Sequence, residues 1–113
     1  MSEIDMKRVE QLRFLFKEQF STRMEIFLKT IASYIDEIEV FVKTDSRTEV
    51  TSIAHKLASS SYQVGLVEIG KLAEILERSG HDPSVSTQDI HTSMKQEFQD
   101  LDKKMKAVIN ENE

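Results

Sequence analysis

Three histidines and no cysteine limit the nucleophiles and metal ligands that this chain can offer. Without Cys there is no disulfide, no thiolate and no Cys-based zinc site. His55, His81 and His91 contain no i, i+4 pair, and none has Glu three residues before it. The helical zincin and di-iron patterns are therefore absent, and no metal site is expected. Three isolated glycines cannot build a phosphate-binding loop, and no nucleophile elbow surrounds a serine. Common enzyme signatures are missing.

His55 is set apart by its neighbours. On a helix advancing about 100° per residue, Ile53, Val64, Leu57 and Val50 fall at about 160°, 180°, 200° and 220° from it. The stripe that must face a core thus lies opposite His55. On its own face stand Thr48, Thr51, Ser52, Ala58, Ser59 and Tyr62, all small or weakly polar. A solvated face would carry Glu and Lys there, as the last helix does with Lys95, Gln96, Asp102 and Lys103. A lone surface histidine needs no explanation, but this uncharged surround does: small neighbours let another protein's backbone approach the imidazole. His81 follows Gly80 in a turn and is expected in solvent. His91 lies within about 80° of Met94, Phe98, Leu101 and Met105 and is expected to pack or to border the core.

The elements that must carry these residues are helices. Met24, Phe27, Leu28, Ile31, Tyr34, Ile35, Ile38, Phe41 and Val42 step by threes and fours, as do Met94, Phe98, Leu101, Met105 and Val108. Capping-box spacing at Thr22 and Glu25 predicts a break after a first helix over about 3–20. Thr44–Asp45–Ser46 ends the second helix, and Ser46 with Glu49 opens a third that Gly65 stops. A fourth, with Leu66, Ile69, Leu72, Ala73, Ile75 and Leu76 on one side, ends at Gly80. Asp82–Pro83 then has the form of an N-cap followed by Pro, opening a last helix to about Ile109, with Asn110–Glu113 frayed. The expected fold is all-α: an antiparallel up-down four-helix bundle with an additional N-terminal helix, one domain over 1–113.

Composition agrees and excludes several partners. The 113 residues (13.0 kDa) allow one core. Fifteen basic against twenty acidic side chains, 15 − 20 = −5, argue against a nucleic-acid reader. No apolar run approaches the roughly 18 residues of a membrane span, and Met1–Ser2–Glu3 is no signal sequence. A cytoplasmic, monomeric, free-standing module is the expectation.

The stretch Ala54–His55–Lys56–Leu57–Ala58–Ser59–Ser60–Ser61–Tyr62–Gln63–Val64–Gly65 resembles the signature of histidine-containing phosphotransfer (HPt) domains. Ala54, His55 and Leu57 match its start, Ser60 and Ser61 its small pair, and Val64 and Gly65 its close. Ile69, Leu72, Leu76 and Glu77 continue the match. Ala58 and Ser59 depart from it, standing where the family has Lys and Gly. The resemblance implies a phosphorelay intermediate of two-component signalling. His55 would accept a phosphoryl group from a receiver-domain aspartyl phosphate and pass it to another receiver Asp. It further implies no autonomous kinase activity and no cofactor of the chain's own, Mg²⁺ being carried by the receiver, with a hybrid histidine kinase as a further candidate partner. Docking is expected on Thr51, Ser52, Lys56, Ala58, Ser59, Tyr62 and Gln63. The alternative is a non-catalytic HPt-like binding module that docks on a receiver or a kinase and regulates it.

Overall fold

Each apolar stripe becomes the buried side of a helix in the computed structural model, which describes residues 4–111. The helices are α1 (Met6–Phe16), α2 (Phe20–Lys43), α3 (Arg47–Gln63), α4 (Val67–Arg78) and α5 (Thr87–Asn110), with a 3-10 turn at Lys17–Gln19. No strand occurs among the described residues. Helices α2, α3, α4 and α5 form a ring in which α2 packs on α3, α3 on α4, α4 on α5 and α5 on α2. This is the expected all-α up-down bundle with a leading helix. Its core includes Met24, Ile31, Ile38, Leu57, Ile69, Leu76, Met94, Leu101 and Met105, all shielded from water. Each such side chain contributes about 1.5–3 kcal/mol by leaving solvent.

The α3–α4 turn sets which residues of the two helices meet. Gly65 adopts φ +85°, the left-handed conformation that only Gly takes without strain. The Leu66 N–H then donates to the Ser61 carbonyl at 2.8 Å, closing the end of α3. Helix α4 consequently doubles back beside α3. At the same end of the bundle lies α1, tied by Asp5 N–H to Gly65 O (2.9 Å) and by Arg8 Nε to Gln63 O (2.8 Å).

Three local expectations are corrected. No cap forms at Thr22; α2 starts two residues earlier, at Phe20. Phe20 must be buried (3% exposed), and Arg13 lies over its ring at 4.4 Å, while Phe16 stacks on Phe27. Aromatic packing at the α1–α2 corner thus outweighs a solvent-exposed capping box. Ser46 does occupy the N-cap position of α3, but its hydroxyl bonds Thr44 Oγ1 (2.9 Å) instead of capping an amide. The N-cap of α5 is Ser86, accepting from Asp89 N–H at 3.2 Å, not Asp82.

Asp82 instead accepts from the Ser84 N–H and hydroxyl, folding the α4–α5 loop on itself. Arg47 of α3 staples that loop, donating to the carbonyls of Ser79 (3.0 Å) and Val85 (3.2 Å). At the other end α5 extends to Asn110, one residue past Ile109. Asn112 and Glu113 of the expected frayed end, and Glu3 of the expected first helix, lie outside the described residues.

Candidate functional site

His55 sits midway along α3, anchored by its neighbours Ala54 and Leu57, which are fully buried. Its side chain is 73% exposed. A helical side chain leans toward the N-terminus of its own helix. For His55 that direction runs toward the C-terminal end of antiparallel α4, where Glu77 stands. The imidazole Nδ1 lies 3.0 Å from Glu77 Oε2. An ionised carboxylate only accepts, so the contact places the ring hydrogen on Nδ1. In the neutral ring the remaining lone pair is then on Nε2. The tautomer follows from that hydrogen bond.

A second tie crosses the same two helices. The Tyr62 hydroxyl donates to Glu74 Oε1. That bond, then partial burial and the charges of Glu74 and Glu68, push the phenol up to about 12. Beneath the ring lies Gly70: a Cβ there would stand 2.7 Å from Tyr62 Cζ and 2.8 Å from both Cε atoms. Only a glycine leaves room for the aromatic side chain in this position.

Small residues draw the helices together. Ala54, Ala58 and Ser61 on α3 are buried, as are Gly70 and Ala73 on α4. This corrects the expectation that Ala58 belongs to an outward docking face, since it is only 7% exposed. The buried arc of α3 runs from Ile53 through Leu57, Val50, Ser61 and Ala54 to Ala58, so it extends within about 60° of His55 on the helical wheel. His55 stands at the rim of that arc, not opposite it. The small side chains make room for α4 of the same chain.

The other expected docking residues divide by position. Ser52, Lys56, Ser59 and Gln63 are exposed, Thr51 is half-buried, and Tyr62 is 39% exposed. Ser52, Lys56 and Ser59 surround His55 within one helical turn. Gln63 is two turns away at the end of α3, its carbonyl engaged by Arg8. Thr51 lies against α4, its hydroxyl 3.5 Å from the Glu77 carbonyl.

His81 is exposed and lines a groove of about 260 Å³ with Thr51, Glu74, Glu77 and Arg78. His91 is buried, its Nε2 donating to the Ile35 carbonyl at 3.0 Å, and serves packing. No group of three or more His, Cys, Asp or Glu among the described residues could hold a metal ion. No described helix is long and apolar enough to cross a membrane.

Sequence reasoning assigned no role to Glu74 or Gly70, and Glu77 entered only as a residue continuing the motif, with no tie to His55. A signal existed for Glu77. With a tight turn centred on Gly65, a count of ten residues either way sets His55 opposite Ile75, and Glu77 is within one turn of that level.

The family model for the Hpt domain matches residues 24–109, which leaves α1 and the first residues of α2 outside the match. Among solved structures, the fold is similar to the crystal structure of histidine-containing phosphotransfer protein B (HptB) from Pseudomonas aeruginosa PAO1. The TM-score is 0.84 at 13% identity, over 96% of this chain and 92% of that one, which makes it a likeness of fold. No curated protein sequence matches the chain.

Proposed function

The chain belongs to the Hpt domain family, and on that premise we propose that it is a phosphorelay intermediate whose phosphoacceptor is His55. The observation that supports this assignment is the pairing of an exposed imidazole with a carboxylate that holds Nδ1 at 3.0 Å. His91, by contrast, is buried and committed to a backbone carbonyl.

In the transfer step the lone pair on Nε2 attacks phosphorus of a receiver's aspartyl phosphate, in line with the bond from phosphorus to the carboxyl oxygen. An N–P bond forms, the O–P bond breaks, and the electron pair leaves on the Asp carboxylate. The ring keeps its proton on Nδ1 and gains a positive charge, which Glu77 faces directly. Two negative charges on the acyl phosphate become one on the Asp carboxylate and a net one on the phosphorylated imidazolium. The reverse sequence discharges His55 to a second receiver. The receiver is expected to supply Mg²⁺ and a Lys to the moving phosphoryl group, so this chain contributes an oriented nucleophile and a docking face.

Incubation with a Mg²⁺-bound, phosphorylated receiver domain tests the assignment. Intact mass should rise by one phosphoryl group, acid-labile as a phosphoramidate is, in the wild type but not in His55→Gln. Binding of the receiver with no phosphoryl gain in the wild type would discard the shuttle in favour of a regulatory adaptor.

A further inference from the structure

Tyr62 stands two helical turns from His55 on the same side of α3, about 10 Å along the axis. A partner that brings a phosphoryl group to His55 must cover it. Even a transient contact hides about 600 Å² per partner, a disc of roughly 14 Å radius. The exposed residues of α3 nearest His55 are otherwise Ser52, Ser59 and Lys56, which supply little apolar area.

Tyr62 is also held in place before any partner arrives. Its ring is seated on Gly70, its hydroxyl is engaged by Glu74, and it is still 39% exposed. A large side chain already fixed in one orientation loses little conformational entropy on docking, and Tyr is a preferred anchor for that reason. Gly70 carries an independent indication. Glycine is a poor helix former in the interior of α4, where Ala would favour the helix. The place of the Tyr62 ring accounts for its presence.

We propose that Tyr62, seated on Gly70 and tied to Glu74, is the preorganised anchor of the partner contact, and that buried Gly70 sets its position. The proposal rests on the phosphotransfer reading for where the partner sits. The chemistry of the partner follows from the groups left free. Because the Tyr62 hydroxyl donates to Glu74, the exposed ring meets an aliphatic or aromatic side chain. Glu74 keeps a second carboxylate oxygen, whereas Glu68 is already paired with Lys71 at 3.6 Å. The matching surface is therefore a receiver face with an apolar centre and a Lys or Arg on its flank.

The test measures affinity rather than transfer. A Mg²⁺-bound, unphosphorylated receiver domain is titrated into the full chain as wild type, Tyr62→Ala, Tyr62→Phe and Gly70→Ala. Tyr62→Ala is expected to weaken binding about tenfold or more, the scale of a hot-spot residue. Gly70→Ala should weaken it at least threefold and shift the Tyr62 ring resonances, with no fall in thermal stability. Tyr62→Phe should fall between wild type and Tyr62→Ala.

Affinity within twofold of wild type in Tyr62→Ala overturns the anchor, even where His55 is phosphorylated normally. An unmoved ring in Gly70→Ala, or a moved ring with unchanged affinity, overturns the role of Gly70. A wild type that neither binds the receiver nor takes its phosphoryl group removes the phosphotransfer reading and the anchor together.

Discussion

His55 Nδ1 and Glu77 Oε2 meet at 3.0 Å although 22 residues separate them, because the turn at Gly65 folds α4 back along α3. The side chains approach from opposite helices, each leaning toward its own N-terminus. The contact leaves the outer nitrogen of the ring free and turned to solvent.

Glu77→Ala removes the acceptor that fixes the Nδ1–H tautomer and faces the developing imidazolium. A hydrogen bond to a charged group is worth about 1.5–3 kcal/mol, and solvent screening at this exposed pair reduces that to about 1–1.5 kcal/mol. Phosphotransfer to His55 should slow roughly tenfold. Nitrogen-15 spectra of the His55 ring should show a mixture of tautomers in place of one. A variant with the wild-type rate and one tautomer would remove Glu77 from the mechanism.

The Tyr62 phenol is pushed up to about 12 in the folded chain, above its ordinary value of 10.0, first by donating to Glu74. Between these values the folded state holds a proton that the unfolded state has released. Stability from this group is therefore full below pH 10 and is lost as pH rises toward 12. Denaturant midpoints of the wild type should fall across this window more steeply than those of Tyr62→Phe. Parallel curves would show that the Glu74 bond does not form in solution.

Ala58→Lys restores the family's cation but places it in the α3–α4 seam, where Ala58 is 7% exposed. Overpacking is expected to cost about 1–3 kcal/mol, read as a lower urea midpoint at unchanged slope. An exposed charge pair contributes at most about 1 kcal/mol, so the transfer rate should stay within about tenfold of wild type. A stability equal to wild type would show that α4 yields readily to the longer side chain.

Gly65→Ala tests the turn on which the site depends. A non-glycine residue at φ +85° costs about 1–2 kcal/mol, and the new Cβ would stand 2.9 Å from the Asp5 carbonyl oxygen. Thermal unfolding should move down by about 4–8 °C per kcal/mol for a chain of this size. The α1 amides should exchange hydrogen faster, since Asp5 is bonded to Gly65. Unchanged protection in α1 would mean that Arg8 and Arg13 hold that helix without the turn.

Much of this molecule was legible one helix at a time. Threes-and-fours spacing of apolar residues defined α2 and α5, and Gly65 marked the end of α3. The wheel through Val50, Ile53 and Leu57 turned His55 away from the core. These are local properties, because a residue's direction from its own helix axis depends only on its place in the repeat. Tertiary structure decided which neighbour covers which flank. Ala58, one of the small residues beside His55, looked like space for another protein, whereas it is buried with Ala54 and Ser61 where α3 receives α4. Periodicity does not encode the rotation or register of an adjacent helix, so the tie of Glu77 to His55, and the places of Glu74 and Gly70, became visible only once α4 was in place. The start of α5 had the same origin. Asp82 and Ser86 can both cap a helix, and the loop stapled by Arg47 leaves Ser86 at the point where the helix begins. Chain chemistry determined the helices and the outward imidazole; the packing of α4 against α3 determined the carboxylate that orients it.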